Sequence, residues 1–155
     1  MKLTSRHDIE APIEFVFDRA NDLAAFERAA LRRGVQVNRS DPTGRIDVGS
    51  TWDATAVYRG KPRRIRARLE EVTPPEGYRI AASSGALDAM TTVDLVALSP
   101  RSTRMTVTIE LSAHALSARL LLQSMKLARG NLSRRLDARV ATFCTNVTEA
   151  YRSGA

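Results

Sequence analysis

The stretch Gly49–Tyr78, GSTWDATAVYRGKPRRIRARLEEVTPPEGY, decides the fold. Trp52, Ala54, Ala56 and Tyr58 recur at every second position, as do Ile65, Ala67 and Leu69, which alternate with Arg64, Arg66 and Arg68. A period of two marks a half-buried strand, because successive side chains leave the backbone on opposite faces. The turn Gly60-Lys61-Pro62 joins the two strands into a hairpin. Pro74-Pro75 stops the second strand, since proline offers no N–H to a ladder. On this reading Arg64, Arg66 and Arg68 face solvent, and the sheet the hairpin belongs to curves around a helix and can hold a cavity.

Upstream, Lys2–Glu10 alternates with Leu3, Ser5, His7 and Ile9 on one side, which predicts an opening strand. Ala11-Pro12 ends it, and proline followed by Glu14 favours a short helix carrying Phe15, Val16 and Phe17. Asn21-Asp22 offers the next N-cap. The second helix, Leu23 to Arg33, is expected to bury Leu23, Phe26, Ala30 and Leu31 before Gly34 ends it. Val35–Arg39 is a brief strand. Ser40–Gly49, rich in Asp, Pro, Gly and Thr, has the composition of a flap.

Downstream, Tyr78, Ile80 and Ala82 form another inward row. Leu87–Leu98 and Arg104–Ser112 complete the sheet. Leu87, Ala89, Thr91, Val93 and Leu95 are placed inward because the opposite register would bury Asp88 and Asp94. Met105, Val107, Ile109 and Leu111 alternate in the last strand. Ala115–Tyr151 then has no proline and repeats Met125, Ala128, Leu132, Leu136, Val140, Phe143, Val147 and Tyr151 at helical steps. Unbroken, such a helix would reach about 55 Å, longer than a small domain, so a bend is expected near Gly130-Asn131.

At 155 residues the expectation is one domain spanning the whole chain, and 43% hydrophobic with 26% charged residues is ordinary for a globular protein. No apolar run approaches the roughly 18 to 20 residues of a membrane span, and MKLTSRHDIEAP lacks the apolar core of a signal peptide. The expected location is cytoplasmic. Cys144 is the only cysteine, which excludes an intrachain disulfide and a cysteine metal cluster. Among Val140, Phe143 and Val147 it reads as a small buried hydrophobe. The charge of +7 suits an anionic partner, but the three lysines among many arginines are also what a GC-rich coding sequence produces.

The inner face carries Ala54, Ala56, Ala67, Ala82, Ala89 and Thr91, small side chains that leave either a close helix or a ligand cavity. Trp52 and Tyr58 would line it, with one indole donor and one hydroxyl to orient a guest. His7 on the apolar side of a strand reads as a satisfied core residue, and His114 as a capping or surface group. Neither has metal-ligand spacing, and no GxSxG elbow, phosphate-binding glycine loop or GxGxxG is present, so no metal and no cofactor are expected. Arg63, Arg64, Arg66 and Arg68 lack interleaved aromatics, which argues against nucleic acid. Leu116, Leu120 and Leu127 widen the apolar stripe of the C-terminal helix among Arg119, Lys126, Arg129, Arg134, Arg135 and Arg139. Such a helix suits an anionic membrane, an acidic partner, a dimer contact or the border of a cavity mouth.

Four segments carry a family resemblance: IEAPIEFVFD (Ile9–Asp18), GSTW (Gly49–Trp52), the Gly60-Lys61 turn and EEVTPPEGY (Glu70–Tyr78). With them nearly the whole chain resembles the START and Bet v 1-like (SRPBCC) superfamily, in particular its bacterial polyketide cyclase/dehydrase and lipid-transport group. The resemblance implies an α+β helix-grip. Two short helices follow the first strand, and a curved antiparallel sheet of about seven strands closes around a long C-terminal helix with a cavity between them. No residue set matches the active site of a cyclase or dehydratase. The expected activity is therefore binding of a hydrophobic or amphipathic small molecule, whether lipid, polyketide-like or aromatic. Trp52, Tyr58, Ala67, Leu69, Val93, Val107, Leu136 and His7 are the expected ligand-binding residues. The alternatives are a cyclase/dehydratase-type enzyme using His7 or Tyr58 as acid or base, and a stress-response or interaction module working through its basic helix. No transmembrane segment is expected, peripheral membrane contact stays open, and the chain is read as a monomer or homodimer.

Overall fold

The computed structural model describes residues 1–154. In chain order it runs β1 (Lys2–Ile9), α1 (Ile13–Ala20), α2 (Leu23–Arg32), β2 (Gln36–Arg39), β3 (Thr51–Tyr58), β4 (Lys61–Thr73), β5 (Gly77–Ser84), β6 (Leu87–Ser99), β7 (Ser102–Ala113), α3 (Leu116–Leu127) and α4 (Arg129–Arg152). All seven strands join one sheet in the order β1-β7-β6-β5-β4-β3-β2, each neighbour antiparallel. The connection through α1 and α2 therefore carries the chain from one edge of the sheet to the other.

The expected inward rows line up across the strands. Trp52 pairs with Ala67, Ala67 with Ala82, Ala82 with Ala89 and Ala89 with Leu111. Leu69, Ile80, Thr91, Ile109 and Leu3 form the next row. The hairpin turn sits one residue earlier than the sequence suggested: Tyr58 pairs with Lys61, and Arg59 (φ 53°) and Gly60 (φ 74°) make the loop. Two positive φ values match the twist of a two-residue hairpin, and glycine supplies the second without a Cβ clash.

The core lies towards one end of the sheet. Ile9, Ala11, Val16, Phe17, Ala20 and Leu23 from β1, α1 and α2 meet Leu69, Tyr78, Val93, Leu95, Met105 and Val107 from the sheet and Val140, Cys144 and Val147 from α4. Ile9 and Leu69 are essentially inaccessible, each worth about 2–3 kcal/mol of apolar burial. Two buried hydroxyls tie the helical connection to the sheet: Thr103 donates to the Ala11 carbonyl and Tyr78 to that of Ala20, both at 2.8 Å. Loop 40–50 is held at its ends by the Ser40–Thr51 hydroxyl pair (2.6 Å) and by Gly49 N–H donating to the Leu69 carbonyl (2.8 Å).

Two expectations change. Asp22 caps α2 as read, its carboxylate accepting from Ala25 N–H at 3.2 Å. Yet of the four apolar residues expected inside only Leu23 is buried, while Phe26 is 42% and Leu31 54% exposed. The helix is turned so that Glu27, one turn beyond Leu23, faces the sheet. The C-terminal helix breaks at Ala128, two residues before Gly130. There the Ala128 N–H donates to Met125 O, and the Arg129 guanidinium donates to the Lys2 carbonyl at 3.1 Å, pinning the bend to β1.

Candidate functional site

Helix α4 lies along β1, and α3 touches β7 and β6. Towards the core end α4 packs over Trp52, Leu69 and Tyr78, and at the hairpin end the Arg59 guanidinium donates to the Ser124 hydroxyl and carbonyl of α3; between them Ala54, Ala56, Ile65, Ala67, Ile80 and Ala82 are half-buried. A row of inward alanines directly under a packed helix would be fully buried at protein packing density. These positions instead floor a cleft that opens towards the β3–β4 and β5–β6 hairpins and α3.

The expected binding residues divide by position. Trp52, Leu69, Val93 and Val107 lie in the buried core, and Leu136 packs half-buried against it from α4. Ala67 is half-buried on the cleft floor. Tyr58 stands half-buried at the hairpin end, its hydroxyl accepting from Arg59 Nε at 3.2 Å, with the Arg59 guanidinium stacked over its ring. His7 is on edge strand β1, five strands from β3 in sheet order, so the two candidate acid–base residues belong to different parts of the sheet.

His7 belongs to a cluster at the β1–α4 seam. Its Nε2 donates to Asp137 Oδ1 at 2.8 Å, and the Ser5 hydroxyl donates to the same oxygen at 2.7 Å. The Ser5 hydrogen bond, then that from His7, holds the Asp137 carboxyl below the usual carboxylate range. Ser, His and Asp are all present, but the acid stands between the hydroxyl and the ring. The serine proton is committed to a carboxylate rather than to a base, which is not how a nucleophile is activated. Nearby Cys144 is pushed up to about 11 by burial and by the charge of Asp137, so it stays a protonated thiol. Asp137 escaped the sequence reading because one acidic residue on the outer half of a long helix looks like any solvated charge. Among the described residues no three His, Cys, Asp or Glu side chains gather to hold a metal.

Two arginines on the inner face have opposite surroundings. Arg39, on β2, pairs across the sheet with Trp52, and its Nε lies 3.5 Å from Glu27 Oε1, within ion-pair reach though not aligned as a hydrogen bond. The Trp52 indole N–H donates to the same Glu27 oxygen at 2.7 Å. Arg63, on β4, pairs with Ala56 and shares the inner face with Ile65 and Ala67. Arg64, Arg66 and Arg68 are exposed, as the alternation predicts, and Arg63 is half-buried on the other face. The alternation that put its three neighbours outside puts this one inside.

A broader depression of about 610 Å³ lies on the opposite side of the sheet. Its walls are the outward rows Thr51-Arg68-Ala81-Met90-Glu110 and Arg66-Ser83-Asp88-Ser112, with Ala67, Ala82, Ala89 and Leu111 of the row between them also lining it. Cations on one bank, carboxylates on the other and small side chains on β5 make it a solvated dip rather than an enclosed site.

No family model and no curated protein matches the chain. Solved structures do match over nearly its whole length. A norcoclaurine synthase point mutant from Thalictrum flavum, in complex with a transition-state analogue, aligns with TM-score 0.70 at 14% identity, covering 97% of this chain and 96% of that one. The Zhui aromatase/cyclase from Streptomyces sp. R1128 aligns with TM-score 0.68 at 11% identity, covering 100% and 98%. A protein from Thermus thermophilus aligns with TM-score 0.66 at 17% identity, covering 97% and 99%. The likeness is one of fold.

Proposed function

We propose, from the START/Bet v 1-like helix-grip fold that this chain has, that it binds a hydrophobic or amphipathic small molecule in the cleft between the inner sheet face and α3 and α4. The observation that carries the reading is the half-buried floor of Ala54, Ala56, Ala67 and Ala82, small apolar side chains at inward positions of β3, β4 and β5. Apolar surface in a concave site yields roughly 25 cal/mol per Å² when a guest removes it from water. Structures of the same fold named as an aromatase/cyclase and a norcoclaurine synthase support a small-molecule role. A cyclase-type enzyme has less support here, because His7 is bound to Asp137 on the edge strand and Tyr58 accepts from Arg59.

The neutral fluorophore N-phenylnaphthylamine is expected to bind saturably to the wild-type protein. Ala82→Phe, which places a ring over the floor, is expected to weaken that binding by at least about tenfold while the protein stays folded. If the floor were already filled, the ring would overpack the interior and cost stability by about 1–3 kcal/mol instead. Absence of saturable binding to wild type, or an Ala82→Phe variant that is less stable but binds as before, sinks the reading.

One surface favours a second role beside binding. No helix among the described residues is long and apolar enough to cross a membrane. On α3, however, Leu116, Leu120 and Leu127 are 72%, 63% and 92% exposed. At helical spacing they fall within about 40° of one another, a single stripe. Residues 112–136 contain Arg119, Lys126, Arg129, Arg134 and Arg135 and no carboxylate. That combination suits contact with an anionic bilayer. The protein is expected to sediment with phosphatidylglycerol vesicles at low salt, and the double variant Leu120→Glu, Leu127→Glu to stay in solution. Equal sedimentation with phosphatidylcholine, or indifference to the double substitution, excludes this contact.

A further inference from the structure

Beyond Ala56, where the cleft meets α3, Arg63 looks into a cavity of about 320 Å³. Around it are Leu87, Ala118 and Leu121, which are apolar, Ser84 and Ser117, which bring hydroxyls, and a second cation, Arg64; no carboxylate lines it. The arginines that form ion pairs among the described residues are Arg39, Arg66, Arg79, Arg104 and Arg152, and Arg63 is not one of them. Its Nε is buried and has no hydrogen-bond partner.

Buried polar groups are almost always satisfied, and a guanidinium keeps its charge at physiological pH, so a buried donor without a partner points to one that is absent. The partner has to be an acceptor, and an anion satisfies it best, because hydrogen bonds between ionised groups are about twice as strong as neutral ones. Arg39, whose Nε also lacks an aligned hydrogen bond, differs in charge: at the other end of the same inner face the protein supplies Glu27 as counter-charge, and here it supplies apolar walls, two hydroxyls and a second arginine.

Resting on the binding role proposed above, we infer that Arg63 receives the oxyanion of an amphipathic ligand, a carboxylate on an apolar body that extends over Ala56, Ala67 and Ala82. The body is held by apolar burial, and the head by the guanidinium with Ser84 and Ser117 beside it. Arg63 sets the orientation of the guest and discriminates against neutral and cationic analogues of the same length.

Decanoate, decanol and decylammonium, titrated against protein-bound N-phenylnaphthylamine, test this. Wild type is expected to bind decanoate at least about tenfold more tightly than decanol, and decylammonium most weakly. Arg63→Met is expected to abolish the preference by weakening decanoate far more than decanol, and Arg63→Lys to retain part of it. Circular dichroism and the melting temperature show whether each variant is folded, and the lysine variant carries the comparison if the methionine variant is not. Equal binding of decanoate and decanol to wild type overturns the anion site and leaves the apolar cleft standing. So does an Arg63→Met variant that weakens both ligands alike. Failure of the fluorophore and all three ligands to bind overturns the site together with the binding role.

Discussion

Gly77→Ala is expected to cost more than about 3 kcal/mol, enough to leave much of the protein unfolded at room temperature. Gly77 opens β5 with φ +147°, a conformation that residues with a Cβ rarely adopt. A Cβ built there stands 1.8 Å from the carbonyl oxygen of Val93, 2.9 Å from its carbonyl carbon and 3.4 Å from Cα of Asp94. All three atoms are backbone of β6, where Gly77 pairs with Asp94 and Tyr78 with Val93. No rotamer change relieves the clash, and separating the strands would pull Tyr78 and Val93 out of the core they share. Gly85→Ala is the matched control: φ is +59° there but nothing lies within 4 Å of the added atom, so only backbone strain of roughly 1–2 kcal/mol applies. Urea titrations of the two variants separate the effects. Midpoints lowered equally would show that steric contact with β6 plays no part, and the argument from close approach would fail.

That contrast also shows what kind of information the sequence carried. The Pro74-Pro75-Glu76-Gly77 punctuation was readable as a turn because proline and glycine restrict the backbone locally. The inward rows were readable because a period of two has only two registers, and Asp88 and Asp94 excluded one of them. Both signals depend on neighbours in the chain. The polar pairs of the interior depend instead on residues far apart. Asp137 meets Ser5 and His7 across at least 130 positions, and Thr103 meets Ala11 across 92. In an isolated stretch each is an ordinary polar residue. Arg63 was legible only in part. The alternation that sets Arg64, Arg66 and Arg68 outside leaves Arg63 on the other face, but no local signal shows that its Nε is buried without a partner.

Glu27→Ala is expected to lower stability by roughly 2–4 kcal/mol, far more than an ordinary helix-surface substitution. Glu27 lay hidden in the sequence because the apolar residues of α2 suggested a face made of Phe26, Ala30 and Leu31, with the glutamate turned to solvent. In the structure its carboxylate accepts the Trp52 indole proton at 2.7 Å and stands 3.5 Å from Arg39 Nε, with its side chain only 21% exposed and that of Arg39 14%. Alanine would strand both donors: an indole N–H in the core, and a guanidinium whose Nε has no other partner. Three comparisons in urea at constant m-value isolate the cause. Glu27→Gln keeps an acceptor for the indole without the charge and should lose less than alanine. Arg39→Met in the Glu27→Ala background removes the stranded cation and should recover part of the loss. Arg39→Met alone should strand no charge and cost less than Glu27→Ala. If Glu27→Ala falls within about 0.5 kcal/mol of wild type, the carboxylate is a surface group and its contacts carry no weight. The same number bears on Arg63. A large loss for Glu27→Ala would show that an inward arginine on this face needs a counter-charge, which is the premise of the anion site at Arg63.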